Sequence, residues 1–226
     1  MNKLSIIIPS RNSTNLTACL SSIFRHEGFS HSIYVIDDGL AVRPFQDFQN
    51  VRYLDGESPF VFARNCNIGI NAAGTNDVIL MNDDALLMTP RGLSEMQKAY
   101  YQKWLLTMGL VSAASNHVGN PNMWPAGAVL KLREDPRMVC FVCVFIPRVT
   151  IDDVGLLDET FTGYGCDDDD YCLRVRRAGL KIGIFDGCVV DHGSLESTFR
   201  PGNKGGDFSS NLARFKEKWG AGNMEL

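Results

Sequence analysis

The sequence lacks any apolar stretch approaching the roughly 20 residues that a membrane-spanning helix requires. Its start, Met1-Asn2-Lys3-Leu4 followed by Ser5-Ile6-Ile7-Ile8-Pro9, is too short for the apolar centre of a signal peptide and carries no cleavage site. Basic residues are not in excess: the net charge of -4 offers no general affinity for nucleic acid or an anionic membrane, so partners must be sought at sites. There is no internal repeat and no low-complexity segment. Histidine is scarce, and of His26, His31, His117 and His192 only the last has an informative context. The cysteines, seven and scattered, fit a reducing compartment better than a disulfide framework, and the expected location is cytoplasmic. Cys140 and Cys143 fall inside the apolar run Met138 to Ile146. On a strand, residues three apart face opposite ways, so the pair is expected to be core rather than a chelate.

What is present suits an α/β domain. With 226 residues, 45% of them hydrophobic and 21% charged, the chain can bury a full core, and residues 1–226 are expected to form a single domain. Leu4 to Pro9, Ile33 to Asp38, Val51 to Leu54 and Val78 to Met81 read as strands. A helix striped by Leu16, Cys19, Leu20, Ile23 and Phe24 follows the possible caps Ser13, Thr14 and Asn15. A second opens at Pro59 and closes near Gly74, and a third runs from Pro90 through Trp104. Strands alternating with helices predict right-handed crossovers and a mostly parallel sheet, with ligands gathered at the strands' carboxyl ends. Ser10-Arg11-Asn12, Asp37-Asp38-Gly39 and Asn82-Asp83-Asp84 all fall there.

The second half differs in texture. Val111 to Ala114, Gly127 to Leu132 and Met138 to Ile146 read as strands of a mixed extension, and Lys181 to Phe185 and Val189 to His192 as two more. Ser197 to Asp207, with Gly202, Gly205 and Gly206, reads as a flexible loop before an amphipathic closing helix striped by Phe208, Leu212, Phe215 and Trp219. Between these lies an acidic run, Asp167 to Asp170, at the start of a helix that ends at Gly179. Carboxylates there can cap free amides and favour the helix dipole, yet the run is longer than capping needs.

The acid pair Asp83-Asp84, after a strand, can hold a hard divalent cation against a diphosphate, Mn²⁺ or Mg²⁺. Taken in order, Ser5 to Asn12, Val35 to Gly39, Ala63-Arg64-Asn65-Cys66-Asn67-Ile68-Gly69, Met81 to Asp84, Gly155 to Glu159 and Asp168 to Arg174 resemble the family 2 glycosyltransferases of the GT-A fold. The resemblance covers about residues 3 to 195. It implies a Rossmann-like fold with a nucleotide-sugar-binding half (1–110), an acceptor and catalytic half (111–195), and a flexible loop with closing helix (196–226).

The resemblance also implies roles. Pro9 and Asp38, with Asp37 as alternative, would line the nucleobase pocket with Arg11 beside them, and Arg64 would reach the base or phosphates. Asn82-Asp83-Asp84 stands where members carry Asp-x-Asp: Asp83 would hold the ribose hydroxyls and Asp84 the metal, joined by His192, for which a strand-end histidine bonded to backbone is the alternative. Asp168 would be the general base, kept ionised by the helix dipole, with Asp167 orienting it. Asp158 would lie near the acceptor, and Trp124 could supply a stacking wall. Arg200 and Lys204 would close over the diphosphate, or else lie in a solvated basic loop. The implied reaction is inverting transfer of a sugar from a nucleoside diphosphate donor, a UDP-sugar, to a hydroxyl acceptor such as a glycan. A sugar-phosphate nucleotidyltransferase is one rival, although Ser10-Arg11-Asn12-Ser13 has no glycine for a phosphate loop. A catalytically silent sugar-nucleotide-binding module is the other.

Overall fold

Ile6, Ile7 and Ile8 have no accessible surface because the first strand runs through the interior of a nine-stranded sheet. The computed structural model describes residues 2–105, 107–116, 132–134, 136–197 and 204–220. In chain order, the elements of the first half are β1 (Leu4–Ser10), α1 (Ser13–Glu27), β2 (Ser32–Asp37), β3 (Val51–Asp55), α2 (Phe62–Ala73), β4 (Asp77–Met81), β5 (Leu86–Leu87) and α3 (Gly92–Ala99). Then come β6 (Met108–Ser115), β7 (Leu132–Glu134), β8 (Cys143–Ile146), α4 (Arg148–Val154), α5 (Asp167–Arg177), β9 (Lys181–Asp191) and α6 (Lys204–Trp219).

The sheet order is β3-β2-β1-β4-β8-β6-β9-β5, with β7 also paired to β9. β3, β2, β1 and β4 are mutually parallel, so Ser10, Asp37 and Met81 all end on one edge; Ser10 lies directly beside Asp37. β8 then inserts antiparallel to both β4 and β6, which makes the sheet mixed as expected. Alternation along β1 divides the core. Ile6 and Ile8 join one apolar cluster with α1 and α3, while Ile7 joins another with α2 and α5. Gly69 lets α2 approach closely, since a Cβ there would stand 2.3 Å from Cγ2 of Ile7. A third, small cluster of Phe161, Cys166 and Phe215 joins α6 to the segment before α5.

Several boundaries differ from the sequence reading. The cap of α1 is Asn12, whose Oδ1 accepts from the amides of Thr14 (3.0 Å) and Asn15 (3.2 Å), rather than any of the three residues after it. α2 starts at Phe62, three residues past Pro59. The third helix relaxes into a π-helical turn over Tyr100–Trp104. Of the run 138–146 only Cys143–Ile146 is strand: the Val142 amide donates to the Cys140 carbonyl at 2.8 Å, folding the chain into a turn whose apolar side chains are still buried. Cys143 is core as expected, but Cys140 is off the strand and half-buried, so the opposed-faces argument does not apply to it. All seven cysteines are free. The two late strands are one, β9, irregular where it passes from Phe185 to Val189 against β6. Lys204 to Asp207 belong to α6 instead of a loop. The expected strand at Gly127 lies mostly outside the described residues. No helix among the described residues is long and apolar enough to cross a membrane.

Candidate active site

The carboxyl ends of β1, β2 and β4 build the floor. Ser10 Oγ donates to Asp83 Oδ2 at 2.6 Å, joining the first strand to the acid pair, and its carbonyl accepts the Asp38 amide at 2.9 Å. Pro9 is buried on β1 opposite Ile36. Asp83 and Asp84 are only 4% and 6% exposed, so both carboxylates sit in the wall of the crevice. Burial, Asp83, Cys143 and Asp84, in that order, push the Cys19 thiol well up, which puts this α1 thiol beside the pair. The Asn82 amide donates to Val142 at 2.9 Å and anchors the loop to the turn before β8.

The two neighbouring acids at the end of β2 are not equivalent. Asp37 Oδ1 accepts from the amides of Gly39 (2.9 Å) and Leu40 (2.7 Å), and its Oδ2 lies 2.6 Å from Arg43 Nε. Burial raises its pKa, but the Leu40 amide, Arg43 and the Gly39 amide outweigh that and hold it below the usual range. Asp38 is pushed up, by burial first and by Asp37, with the Arg11 cation opposing. Asp37 is thus engaged in shaping its own loop, while Asp38 faces the Arg11 charge. Arg64, on α2, pairs with Glu57 (3.6 Å) and Glu159 (3.4 Å).

His192 brings the far side of the sheet to this floor. Its Nε2 lies 3.2 Å from Asp84 Oδ1. The turn that carries it is fixed from two directions. Asn116 Oδ1 accepts the His192 amide at 2.9 Å, while Asp191 accepts from Asn116 Nδ2, the amides of Gly193 and Ser194, and the Ser194 hydroxyl. These bonds outweigh burial and hold Asp191 down at about 2. Neither Asn116 nor Asp191 was singled out by sequence; each is an ordinary polar residue until β6 and β9 pair.

The acid run lies against the same region. α5 begins at Asp167, preceded by Gly163, Gly165 and Cys166 at φ of 87°, 85° and 71°. Asp167 to Asp169 are partly buried, and burial is the first cause that raises each: Asp167 is pushed up to about 6, with the charges of Asp169 and Asp170 adding, Asp168 well up, with Asp167 and Asp169 adding, and Asp169 up, with the Arg137 cation opposing. Desolvation and two adjacent carboxylates thus work against the helix dipole that was expected to keep Asp168 ionised. Burial and then the charges of Asp168, Asp169 and Asp167 raise the Cys140 thiol; Asp167 likewise acts on Cys66 of α2. The N-terminus of α5 therefore borders both α2 and the Cys140–Val142 turn that anchors Asn82.

Asp158 Oδ2 is 2.6 Å from Lys218 Nζ of α6, and the Lys218 bond and Thr160 overcome burial to hold it at about 2. Asp170, read from sequence as a helix-start residue, is fully buried and paired with Arg174 and Lys218. Trp124 and Arg200 lie outside the described residues, as does the side chain of Lys204.

The donor set fits a divalent cation. A carboxylate oxygen and an imidazole nitrogen 3.2 Å apart span about the distance between adjacent ligands of one small ion. Among the described residues no three His, Cys, Asp or Glu side chains are grouped to hold a metal. Further ligands would then come from oxygens of a substrate, the arrangement Mn²⁺ or Mg²⁺ takes with phosphates.

A family model, glycosyl transferase family 2, matches residues 5–135. The chain is 28% identical over 208 residues to "Uncharacterized protein y4gI" of Sinorhizobium fredii (strain NBRC 101917 / NGR234), covering 79% of this chain and 23% of that protein. Among solved structures it is similar to GalNAc-T7 with UDP, GalNAc and Mn²⁺ (TM-score 0.71, 12% identity, 99% of this chain and 49% of that one). It is also similar to the mannosyltransferase PcManGT from Pyrobaculum calidifontis with GDP-Man and Mn²⁺ (TM-score 0.68, 14% identity, 88% and 59%). A third is the catalytic domain of Drosophila beta1,4galactosyltransferase 7 with xylobiose (TM-score 0.52, 15% identity, 87% and 67%). The chain thus spans under a quarter of the curated relative and about half of GalNAc-T7. With the family model matching more than half of its length, this protein belongs to glycosyl transferase family 2 and has the GT-A fold.

Proposed function

We propose that the protein is a metal-dependent, inverting glycosyltransferase that moves a sugar from a UDP-sugar to a hydroxyl of a glycan acceptor. The observation that carries this reading is the meeting of Asp84 with His192, 3.2 Å apart, beside a buried Asp83 at the carboxyl edge of a GT-A sheet. Asp84 and His192 would hold Mn²⁺, which both mixed oxygen–nitrogen ligation and the Mn²⁺ complexes of two neighbours favour over Mg²⁺. Bound there, the ion supplies Lewis-acid stabilisation of the diphosphate. Asp83, oriented by Ser10, binds the ribose. Asp38 and Pro9 line the base pocket with Arg11, since the oxygens of Asp37 are engaged by Gly39, Leu40 and Arg43.

Asp168 is the base. The acceptor oxygen bonds to the anomeric carbon as the bond to the diphosphate breaks, and Asp168 takes the hydroxyl proton; a single displacement inverts the configuration. A carboxylate whose pKa is raised toward the working pH is a better proton acceptor once ionised. Asp167 sustains that raised value as its charged neighbour.

Transfer from UDP-sugars with Mn²⁺, measured for wild type, Asp168→Asn and Asp84→Asn, tests the reading. Asp168→Asn should bind UDP and lose roughly 10²–10⁴-fold in kcat, and Asp84→Asn should lose metal-dependent UDP binding. Full activity of Asp168→Asn would remove the base assignment. Pyrophosphate release from a nucleoside triphosphate would favour a nucleotidyltransferase, and tight UDP binding with no turnover a binding module.

A further inference from the structure

α6 grips the chain segment that delivers Asp168. Lys218 Nζ lies 2.6 Å from Asp158 Oδ2 and 2.7 Å from Asp170 Oδ1, so one ammonium ties together the two ends of that segment. Trp219 Nε1 donates to the same Asp170 oxygen at 2.8 Å, and Arg174 Nε donates to the other at 2.9 Å. The Arg177 guanidinium lies 4.4 Å from the centre of the Trp219 ring and holds that indole from behind. At mid-segment, Asn211 Nδ2 donates to the carbonyls of Gly165 (2.9 Å) and Tyr164 (3.3 Å). Phe208 covers Gly165 so closely that a Cβ there would stand 2.8 Å from its ring.

The local sequence does not favour this conformation unaided. Cys166, immediately before the acid run, has a φ of 71° and a side chain that makes no capping bond to the helix. Such a backbone persists only where its surroundings determine it. The surroundings here are α6: Asn211 is 2% exposed, Asp170 is fully buried with charge and hydrogen bonds satisfied, and Phe161, Cys166 and Phe215 close a cluster of their own. A buried carboxylate with both oxygens engaged, as in Asp170, favours one arrangement of the groups around it.

We propose that Lys218, Trp219 and Asn211 are positioning residues for the transfer reaction, acting through Asp170 and the Gly165 carbonyl to set where Asp168 points. This rests on Asp168 being the base, as proposed above. Displacement of a reacting group by about 1 Å costs roughly 10²-fold in rate without weakening the binding of a substrate held elsewhere.

The test uses Lys218→Met, Asn211→Ala and the conservative Lys218→Arg in the full chain, each first shown to melt cooperatively. Hydrogen exchange at the amides of 159–169, UDP affinity with Mn²⁺, kcat and donor KM are then compared. Expected are faster exchange confined to that segment, a kcat lower by about 10²-fold, unchanged UDP affinity and donor KM, and recovery in Lys218→Arg. Unchanged exchange in both disruptive variants would overturn the clamp whatever the activity, and a kcat that stays at the wild-type level despite faster exchange would overturn the positioning role. Faster exchange in a protein whose wild type transfers no sugar would instead remove the transferase reading and leave α6 as the clamp of this segment.

Discussion

The side-chain oxygen of Asn116 accepts the backbone amide of His192 at 2.9 Å, while its nitrogen donates to Asp191 at 2.9 Å. One amide at the end of β6 thereby fixes the turn in which the imidazole meets Asp84. Asn116→Ala should weaken Mn²⁺ binding in the presence of UDP by about 10- to 100-fold, the usual cost of losing a residue that orients a metal ligand. Titration followed by calorimetry or electron paramagnetic resonance measures this; equal affinity would mean that the Asp191 bonds to Gly193 and Ser194 suffice.

The raised acids tax the fold at neutral pH. Burial, with the charges of Asp169 and Asp170, pushes Asp167 up to about 6 in the folded chain from the usual value near 4, so the folded state holds its proton more tightly. Stability is then greatest below the unfolded value and falls as pH rises through about 6. Asp167→Asn should raise stability on the order of 2 kcal/mol at pH 8 and give no comparable gain at pH 4. Thermal melts at both pH values decide it, an equal gain at each ruling out the charge explanation.

The same crowding should shape the rate. Because Asp168 must be ionised to accept a proton, kcat should fall with acid through a midpoint above the ordinary carboxylate range. Removing the Asp167 charge lowers that pKa, so the acid limb of Asp167→Asn should move to lower pH. A limb that stays in place would separate Asp168 from the observed titration.

Asp37 and Asp38 should separate by assay. Asp38→Ala is expected to weaken UDP binding with little change in melting temperature. Asp37→Ala should instead lower the melting temperature, because two loop amides and Arg43 lose their acceptor. Calorimetric UDP titrations beside thermal melts would show the reverse pattern if Asp37 were the ligand.

At the opposite end of β4, the buried Asp77 accepts from Gln97 Nε2 (2.8 Å), the Tyr101 hydroxyl (2.9 Å), Asn2 Nδ2 (3.2 Å) and the Arg148 amide (2.9 Å). Asp77→Ala should cost about 3 kcal/mol of stability and leave kcat/KM unaltered at a temperature where the variant is folded. Denaturant unfolding and steady-state kinetics on the same sample check both halves.

What the sequence made legible was local or recurrent. Continuous apolar runs marked β1 and β4, and the polar triplets after them marked the edge where Ser10 and Asp83 meet. The pairing of Asp84 with His192 was legible only through family resemblance, since spacing along the chain carries no hint that β9 returns beside β5. Nor could it reveal β8 inserted antiparallel between β4 and β6, an order set by long-range strand pairing. Gly205 and Gly206 read as helix-breaking, yet α6 begins at Lys204, because the contacts of Asn211, Phe215, Lys218 and Trp219 farther along outweigh local propensity. Asp170 read as no more than a helix-start acid until α6 supplied its cation and indole.

Leu86 pairs with Asp191 and Leu87 with Val190 in the short antiparallel ladder of β5 and β9. Asp84 stands just before one strand and His192 just after the other, so main-chain hydrogen bonds set the spacing of the two proposed metal ligands. The side chains of Leu86, Leu87 and Val190 can therefore vary among apolar residues, whereas Asp191 also holds the turn, and gain or loss of one residue between Asp84 and Leu86, or between Val190 and His192, shifts one of these two side chains relative to the other and cannot be absorbed. Length polymorphism in relatives that keep the metal should be confined to the long connections outside these two short stretches.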